Sequence, residues 1–287
     1  RGASWRKQGN YSTSGNYYQE IVVDPQDAQT VYAMNTWIQV SQDGGKTFKV
    51  LGETTKHVDN HCMWIDPTDS EHFLVGCDGG IYESWDRAET WHYKPNLPVT
   101  QFYKVALDNA YPFYHVYGGT QDNASLAGPS RSLSDNGISN EERINTHGGD
   151  GFETQVDQDN ANIIYAQSQH GVLVRYDRLN GEELGFQPQP RKDENAYRWN
   201  WDAPLVISNH DNKRLYFAAN KVFRTDDQGN SWKVISEDLT ANIDRNKLEI
   251  MGRVWGIDAI AKNQSTSQYG TIVAMDESPL NEDLLFV

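Results

Sequence analysis

One pattern recurs along the chain. An apolar stretch ends at a polar position, and a second short apolar run begins a few residues later. Taken as anchors, these polar positions are separated by 42, 42, 49, 51 and 70 residues. They are Asp24, Asp66, Asp108, Asp157, Ser208 and Ser278. The runs that follow are rich in Val, Ile, Leu, Tyr and Phe, a composition that favours strands over helices. The pattern therefore predicts a repeated unit of short strands.

A repeat of roughly 40 to 50 residues with four short strands is typical of a propeller blade. We name the strands A to D from the inside outwards. Strand A ends at the anchor, the anchor turn leads to B, a hairpin joins C to D, and D leads to the next A. The predicted fold class is all-β, a β-propeller of four-stranded antiparallel blades. A solenoid is the structural alternative, although the absence of a helical pattern argues against helical repeats.

Three segments share the pattern S/T-x-D-x-G/A-x-T/S-W/F, and their aspartates follow an anchor by 19, 20 and 19 residues. In such a segment the hydroxyl and the carboxylate bond back to the backbone of a tight hairpin, and glycine supplies an unusual φ. The aromatic residue enters the core. The residues assigned this structural role are Ser41, Asp43, Gly45, Thr47, Ser84, Asp86, Thr90, Thr225, Asp227, Gly229 and Ser231. Asp177 lies 20 residues after Asp157 and is interpreted as a degenerate fourth example.

The ends of the repeat pattern bear on domain organisation. Residues 2–5 match the tail of such a hairpin, and the last residues match a B strand. Because a propeller closes on itself to remove sheet edges, residues 1–287 are interpreted as one incomplete portion of a larger propeller. The longest interruption of the repeat, residues 241–270, is polar and is predicted to be a surface insertion.

Charge and composition narrow the function classes. The formal net charge is −15, which argues against a nucleic-acid partner because phosphate binding requires a basic surface. No stretch approaches the roughly 20 apolar residues of a membrane span. No nucleotide-binding motif is present, and no cofactor is predicted.

The two cysteines, Cys62 and Cys77, fall on strands A and B of one blade. Pairing Ile65 with Leu74 across this hairpin would place the two cysteines directly opposite each other. A cross-strand disulfide and a pair of buried free thiols are both compatible with that register.

The strand order places the A–B turns and the C–D hairpins at one end of each blade, and the D–A and B–C loops at the other. Loops on a rigid scaffold usually carry function, so the D–A and B–C loops are the predicted binding face. The candidate ligand-binding residues there are Asp59, His61, Asp78, Gln121, Asn123, His147, His170, Trp199, Trp201 and Asp202.

Two groups on this face leave alternatives open. His57, Asp59 and His61 alternate, so in a strand they would point the same way and could ligate a metal, or they could line a wet channel. We favour the channel and predict no metal site. Trp199 and Trp201 alternate as well, and either stack on sugar rings or pack between blades.

Glycoside hydrolysis requires two carboxylates about 5 to 10 Å apart. Several aspartates project from the predicted binding face. Asp122 and Asp150 are the first candidates for such a pair because they come from adjacent blades. Solvated rim carboxylates are the alternative, and no motif supports a serine or cysteine nucleophile.

The three hairpin segments resemble the Asp-box, or bacterial neuraminidase repeat. With residues 57–67, the Gly118–Asn123 stretch, the Gly148–Gly151 turn and residues 199–204, the chain resembles the sortilin-type propeller superfamily and, within it, large secreted bacterial proteins labelled glycosyl hydrolases. The resemblance implies an exported, many-bladed propeller. It is similar in kind to xyloglucan-cleaving hydrolases, whose catalytic aspartates have no residue-by-residue match here. Sialidases share the box but need an arginine triad, for which only Arg198 and Arg253 lie near suitable loops.

The leading hypothesis is a recognition propeller, secreted, periplasmic or at the cell surface, that binds a glycan or a peptide on its D–A and B–C face. The alternatives are a glycoside hydrolase that uses two rim carboxylates and a structural subunit of a larger extracellular or envelope assembly.

Overall fold

The structure, a computed structural model, describes residues 4, 6–13, 18, 20–95, 101–259 and 270–287. Within these residues the chain forms 24 β-strands, and its helical segments are short 3-10 turns, Asn140–Glu142, Gln169–Gly171 and Arg245–Lys247. Contacts group the chain into two compact units, Arg1–Val99 and Thr100–Val287, called units 1 and 2 below.

Unit 1 contains two four-stranded antiparallel sheets, blades 1 and 2. Blade 1 consists of β1 (Ile21–Val23), β2 (Val31–Ala33), β3 (Gln39–Ser41) and β4 (Lys49–Val50). Blade 2 consists of β5 (Asn60–Asp66), β6 (Asp69–Cys77), β7 (Gly80–Ser84) and β8 (His92–Tyr93).

Unit 2 contains three further four-stranded sheets, blades 3 to 5. Blade 3 consists of β9 (Lys104–Leu107), β10 (His115–Gly119), β11 (Ser125–Pro129) and β12 (Ile144–His147). Blade 4 consists of β13 (Thr154–Val156), β14 (Ile163–Ser168), β15 (Val172–Asp177) and β16 (Glu182–Gly185). Blade 5 consists of β17 (Leu205–Ile207), β18 (Leu215–Ala218), β19 (Val222–Thr225) and β20 (Lys233–Val234).

Two short hairpins complete unit 2. The first, β21 (Glu249–Ile250) with β22 (Arg253–Val254), lies in the predicted insertion, of which residues 260–269 are outside the described part. The second, β23 (Asp276–Glu277) with β24 (Leu285–Phe286), pairs antiparallel as an A and a B strand would. Of the match to the hairpin tail at residues 2–5, Ser4 alone is described.

Sequential antiparallel pairing of neighbouring strands is the defining order of a propeller blade, and all five four-stranded sheets have it. The structure therefore confirms the predicted all-β fold class with four-stranded antiparallel blades. Each A strand ends at an anchor or at the residue before it. The extent of the ring across residues 1–287 stays a prediction.

The blades pack through apolar faces that alternate with polar ones. In unit 1 a core shared by both blades includes Tyr32, Ile38, Phe73, Val75 and Trp91. In unit 2 the corresponding core between blades 4 and 5 includes Tyr165, Leu173, Trp199, Phe217 and Phe223. Burial of these side chains at about 1.5 to 3 kcal/mol each supplies the main driving force for stacking blade on blade.

Several anchors also pin one blade to the next. The Asp24 carboxylate accepts a hydrogen bond from Ser70 Oγ in blade 2, at 2.5 Å. In unit 2 the equivalent partners are Arg178 for Asp108, Gln228 for Asp157 and Glu277 for Ser208. The anchors thus satisfy their own turns and cross to the following blade at the same end of the sheet.

The hairpins between C and D have the hydrogen bonds that the motif requires. In the first, Ser41 Oγ accepts from the backbone N–H of Gly45 at 2.8 Å and donates to Asp43 Oδ1 at 2.8 Å. Asp43 then accepts from the backbone and side chain of Thr47, at 2.9 and 2.7 Å. The same bonds recur in the segments of Asp86 and Asp227.

In two blades the aromatic residue that follows the hairpin also forms a hydrogen bond to the preceding blade. Trp91 Nε1 donates to the carbonyl of Gly52, at 2.8 Å, and Trp232 Nε1 donates to that of Phe186, at 2.7 Å. Both acceptors follow strand D of the preceding blade. The indole N–H therefore joins its own hairpin to the end of the neighbouring sheet, and the ring contacts the core.

The predicted register between Cys62 and Cys77 is wrong. Strand β5 pairs with β6 one residue away from the predicted register, with Ile65 opposite Phe73 and Cys62 opposite Gly76, and an irregularity between Asn60 and Cys62 places Cys77 opposite Asn60. Both thiols are free. Cys62 Sγ lies 2.6 Å from the position that a Cβ on Gly76 would occupy, and Cys62 is exposed rather than buried.

Candidate functional site

Unit 2 assembles its D–A and B–C loops from three consecutive blades. We call each segment from strand D to the next strand A a crossover. The crossover from blade 3 to blade 4 lies directly on the B–C loop of blade 3. A Cβ at Gly119 would come within 2.2 Å of the Gly151 carbonyl carbon and the Phe152 nitrogen. A Cβ at Gly151 would meet Ala124 O at 2.4 Å, so both positions require glycine for this close approach.

Backbone hydrogen bonds hold the same loop pair together. The N–H of Gly151 donates to Thr120 O and the N–H of Ala124 donates to Gly149 O, each at 2.9 Å. Asp122 and Ala124 adopt φ of +62° and +70°, in the left-handed region that side chains other than glycine seldom occupy. The loops are therefore rigid, and their strained turns are supported by the neighbouring crossover.

An aromatic ring precedes the innermost strand in each of the three blades. These rings, Tyr103, Phe152 and Trp201, form the aromatic row. Tyr103 and Phe152 have ring centroids 4.9 Å apart, and Phe152 and Trp201 are 6.1 Å apart in an edge-to-face contact. Phe152 is fully buried, whereas Tyr103 is 44% exposed and Trp201 is half-buried. The row presents its two outer rings to a ligand.

The residue after each ring carries a charge, and the three charges meet. Lys104 Nζ lies 3.1 Å from Glu153 Oε2 and 3.2 Å from Asp202 Oδ2. We call these residues the charged triad. Its side chains are 41%, 19% and 27% exposed respectively, so the triad faces solvent from a half-buried position. Two carboxylates from different blades thus share one ammonium from a third.

The environment of Lys104 keeps it charged. Burial acts to lower the pKa of the Lys104 ammonium, but the nearby carboxylates of Glu153 and Asp202 outweigh that effect and raise it above its ordinary value. Lys104 is therefore a fixed cation at neutral pH. It serves as a counter-ion and not as a base or a nucleophile.

Several buried polar atoms in unit 2 have no protein partner. Gln167 is fully buried, its Nε2 donates to Ala203 O at 2.7 Å, and its Oε1 has no donor. Asp202 precedes Ala203 in the chain, and its Oδ1 is also buried and without a donor. Thr154 and Ser125, at the starts of β13 and β11, have unpartnered hydroxyls. Such atoms are uncommon in folded proteins, where most buried polar groups are bonded.

The two predicted catalytic aspartates lie close together. Asp150 Oδ1 accepts a hydrogen bond from the backbone N–H of Asp122, at 3.2 Å, and the backbone N–H of Asp150 donates to Gln169 Oε1. Asp150 is buried, at 5% exposure. Its carboxylate therefore supports the turn at Asp122, and the catalytic role of the pair stays a prediction.

The polar candidates beside this pair already have protein partners. Gln121 Oε1 accepts from the hydroxyl of Tyr103, and Asn123 Nδ2 donates to Gln121 O at 3.0 Å. His147 Nε2 contacts Ser168 Oγ at 3.0 Å and its Nδ1 contacts Glu183 at 3.2 Å. These contacts orient Gln121 towards the aromatic row and turn His147 towards blade 4.

The two tryptophans predicted to share one side do not. Trp199 is 8% exposed and stacks on Phe217 with ring centroids 4.8 Å apart, and a Cβ on Gly171 would meet its ring at 2.5 Å. Trp201 instead contacts Phe152 and His170. The alternation fails because residues 199–201 form no strand. Trp199 is a core residue and Trp201 belongs to the site.

His170 sits beneath Trp201. It adopts φ of +59° in the B–C loop of blade 4, and its backbone N–H donates to Trp201 O at 3.3 Å. Its ring meets that of Trp201 edge to face, with centroids 5.1 Å apart, and its Nδ1 is buried without a partner. His170 therefore supports the third ring of the aromatic row.

Unit 1 also contains a polar cluster. His61 Nε2 lies 2.6 Å from Asp78 Oδ1, and the His61 ring stacks on that of Tyr18 at 5.6 Å. Tyr18 donates its hydroxyl to Asp59. Burial, with the hydrogen bond to Asp59, raises the pKa of Tyr18 well above its usual value. Tyr18 is thus a fixed donor to that carboxylate.

The expected alternation of His57, Asp59 and His61 is wrong. Asp59 adopts φ of +62° and strand β5 begins only at Asn60, so the three side chains share no extended segment. The His57 ring turns away and packs against Gly79, whose added Cβ would meet it at 2.5 Å. Asp59, His61 and Asp78 remain candidates without His57.

A buried ion pair braces the crossover between blades 1 and 2. Glu53 and Lys56 have fully buried side chains, with Lys56 Nζ 3.5 Å from Glu53 Oε1. Lys56 Nζ also donates to the side chain of Asn60 and to His57 O, and Asn60 Nδ2 donates to Glu53 Oε1 at 3.2 Å. Burial raises the pKa of Glu53 and lowers that of Lys56. Each group depends on the other.

Lys104, Glu153 and Tyr103 were not singled out from the sequence. The signal was present as a repeated pair, an aromatic residue followed by a charged one. The pair stands five and four residues before the anchors Asp108 and Asp157, and seven and six residues before Ser208. Finding it would have required aligning the blades on their crossovers as well as on their anchors.

None of the described residues forms a helix long and apolar enough to cross a membrane. No family model matches the chain, and no curated protein does. Solved structures with a detectable likeness include the GH74 enzyme of Niastella koreensis, which is 14% identical with a TM-score of 0.33 over 76% of this chain and 38% of that one.

Two further solved structures show a similarly low likeness to this chain. The GH74 xyloglucanase from Xanthomonas campestris is 16% identical with a TM-score of 0.34, over 76% of this chain and 38% of that one. YCF48 bound to D1 peptide is 12% identical with a TM-score of 0.32, over 72% of this chain and 64% of that one. The chain thus spans less than half the length of the two GH74 proteins. With TM-scores this low, the likenesses support no conclusion about activity.

Proposed function

We propose that the protein is a recognition propeller that binds a glycan or a peptide on the D–A and B–C loops of unit 2. The observation that carries this proposal is the juxtaposition, from three consecutive blades, of the aromatic row and the charged triad. Rings beside polar groups offer both stacking and directed hydrogen bonds, the two contacts that specific recognition uses.

Rigidity supports the same proposal. The loops are held by backbone hydrogen bonds between neighbouring blades and by glycines at points of close approach. A site that is already ordered loses little conformational entropy when it binds, so more of its contact energy appears as affinity. Tyr103, Gln121 and Trp201 are then prearranged contacts.

The hydrolase alternative lacks an observation of this kind. A glycosidase needs one carboxylic acid that protonates the leaving oxygen and one ionised carboxylate. Glu153 and Asp202 share the ammonium of Lys104, and Asp150 is occupied by the backbone of Asp122. These arrangements serve binding and loop support better than proton transfer.

The test is a combined glycan and peptide array with the intact protein, followed by titration of any ligand found. Trp201→Ala and Tyr103→Ala should each weaken binding, by about tenfold, because each removes a contact ring. Asp227→Asn, in a hairpin at the other end of blade 5, should leave affinity unchanged. Loss of binding in the hairpin variant alone would contradict the proposed face.

Export from the cytoplasm is part of the proposal and is supported by the resemblance to secreted Asp-box proteins. Fractionation of the native host with an antibody to the protein tests it directly. Recovery in the medium, the periplasm or on the cell surface is the expected result, and recovery with cytoplasmic markers would contradict it.

A further inference from the structure

We propose that the charged triad of unit 2 is a receptor for a cationic group, the ammonium or guanidinium of a basic peptide, and that Lys104 occupies its place until the ligand arrives. This inference rests on the proposed function and selects the ligand class for that site. It is carried by the charge of the site, by its unpartnered acceptors and by its rings.

The charge of the site is negative even with Lys104 counted. Glu153 and Asp202 both lie within 3.2 Å of one ammonium, so one negative charge of the triad remains unbalanced. Asp122 and Asp150 add carboxylates in the adjoining loop. A second cation would complete the neutralisation, whereas an acidic ligand would be repelled.

The unpartnered atoms next to the triad accept hydrogen bonds. Gln167 Oε1 and Asp202 Oδ1 are both buried, and Gln167 Nε2 donates to the carbonyl of Ala203, the residue after Asp202. Neither oxygen has a donor, although both Nε2 of Gln167 and Oδ2 of Asp202 are bonded. Because amide and carboxylate oxygens only accept, the group that completes this site must donate. An ammonium offers three donors and a guanidinium five.

The aromatic row suits the same group. Tyr103 and Trp201 stand at the two ends of the row, in the residues immediately before Lys104 and Asp202. A cation over an aromatic face is attracted by the negative face of the ring, and the attraction grows when the cation is desolvated. Carboxylates flanked by rings therefore favour a cationic side chain over a neutral or acidic one.

The effect of removing Lys104 on peptide affinity distinguishes the proposed role from a purely structural one. If Lys104 is the resident cation, its removal frees two carboxylates for the ligand, and a basic peptide should bind more tightly. If Lys104 only holds the loops together, its removal should weaken binding or leave it unchanged. The direction of the change separates the two roles.

The experiment measures fluorescence anisotropy of an N-acetylated, C-amidated, labelled hexapeptide that contains lysines among glycines. Matched peptides replace the lysines with glutamines or glutamates, and neutral oligosaccharides are titrated in parallel. The lysine peptide should bind at least about tenfold more tightly than the glutamine peptide, because truncating one side of a charge-assisted hydrogen bond removes most of its effect. The glutamate peptide should bind weakest.

Variants locate the effect. Glu153→Gln and Asp202→Asn should each weaken the lysine peptide about tenfold and barely change the glutamine peptide. Lys104→Gln should strengthen the lysine peptide by roughly threefold. Glu182→Gln and Lys233→Gln, on the outermost strands of blades 4 and 5, are the matched controls and should change neither. Thermal unfolding of each variant verifies that it is folded.

The outcomes separate this inference from the proposed function. Equal binding of lysine and glutamine peptides, or lysine-peptide binding that is unchanged or weaker in Lys104→Gln, would overturn the cation receptor. Oligosaccharide binding that is lost in Trp201→Ala, without any binding of the lysine peptide, would overturn it as well and leave the proposed function standing. If no ligand responds to Tyr103→Ala or Trp201→Ala, both proposals fail.

Discussion

The hairpins between strands C and D and the crossovers between blades differ in where their hydrogen bonds end. In the hairpin of Ser41 and Asp43, the side-chain bonds close within residues 41–47. In the crossovers, Lys104 reaches Glu153 and Asp202, which lie 49 and 98 positions further along the chain. One region is stabilised locally and the other is assembled from three blades.

The contrast indicates which loops of a repeated fold can carry function. A local hairpin can be copied from blade to blade because its geometry depends on its own residues alone. A crossover takes its environment from its neighbours, so each one can carry a different side chain. The ring and the charge that precede strand A vary from Tyr103 and Lys104 to Trp201 and Asp202 for this reason.

The largest effect is expected in the crossover between blades 1 and 2, from Lys56→Met in unit 1. The change leaves Glu53 as an uncompensated buried charge, and we expect a loss of about 3 to 5 kcal/mol in the free energy of unfolding. Adding Glu53→Gln should restore most of that stability. Urea unfolding of both variants provides the measurement, and equal losses in the single and double variants would contradict the coupling.

A close approach in unit 2 gives the next largest effect. Gly119→Ala places a methyl group against the backbone of Gly151 and Phe152, and we expect a loss of about 1 to 3 kcal/mol. Gly148→Ala is the matched control, since no atom lies within 4 Å of its added Cβ, and its effect should stay within about 0.5 kcal/mol. Similar losses in both would show that crossover contact is not the cause.

The contribution of the hairpin aspartates to stability should depend on pH. Hydrogen bonds from Ser231 and Thr225 lower the pKa of Asp227 to about 2. The same kind of bonds lower the pKa values of Asp43 and Asp86. A carboxylate with a lowered pKa in the folded state stabilises the fold above its unfolded pKa of about 4 and loses that effect as the pH falls.

Thermal unfolding of the wild type and of Asp227→Asn across this range tests that expectation. The difference in Tm should be constant above about pH 5 and should narrow between about pH 4 and pH 2. A difference that persists unchanged to pH 2 would mean that Asp227 does not act as a carboxylate acceptor. The same measurement on Gly148→Ala should show no such narrowing.

The smallest effect is expected at Ala88, which takes the place of glycine in the second hairpin. Ala88 has φ of +73° and is buried in the core of unit 1. Ala88→Gly relieves backbone strain of about 1 kcal/mol but removes a buried methyl group of similar worth. We expect a change in stability close to zero by urea unfolding, and a loss above about 2 kcal/mol would show that packing outweighs strain.

Much of the fold was accessible from the sequence because its signals are short-range. The anchors predicted where strand A ends, and the apolar runs predicted strand B, since both depend on a turn and on alternation. The register of β5 and β6 was not accessible. Ile65 pairs with Phe73 instead of Leu74, and an irregularity between Asn60 and Cys62 places Cys77 opposite Asn60.

The candidate site was predicted in part. Asp122, Asp150, Trp201 and Asp202 lie on the loops to which they were assigned. Trp199, two residues before Trp201, packs in the core instead. Alternation could not separate them, because it describes extended strands and this stretch is a loop whose direction is imposed by the close approach of Trp199 to Gly171.

By itself, the sequence determined the repeat, the strands it contains and the hairpins that close each blade, because these depend on residues within a few positions of one another. The meeting of Lys104, Glu153 and Asp202, each next in sequence to a ring of the aromatic row, follows from the tertiary structure. Their contact requires three blades to stack in order, and stacking is driven by the buried faces of the sheets, which carry no information about the loops above them.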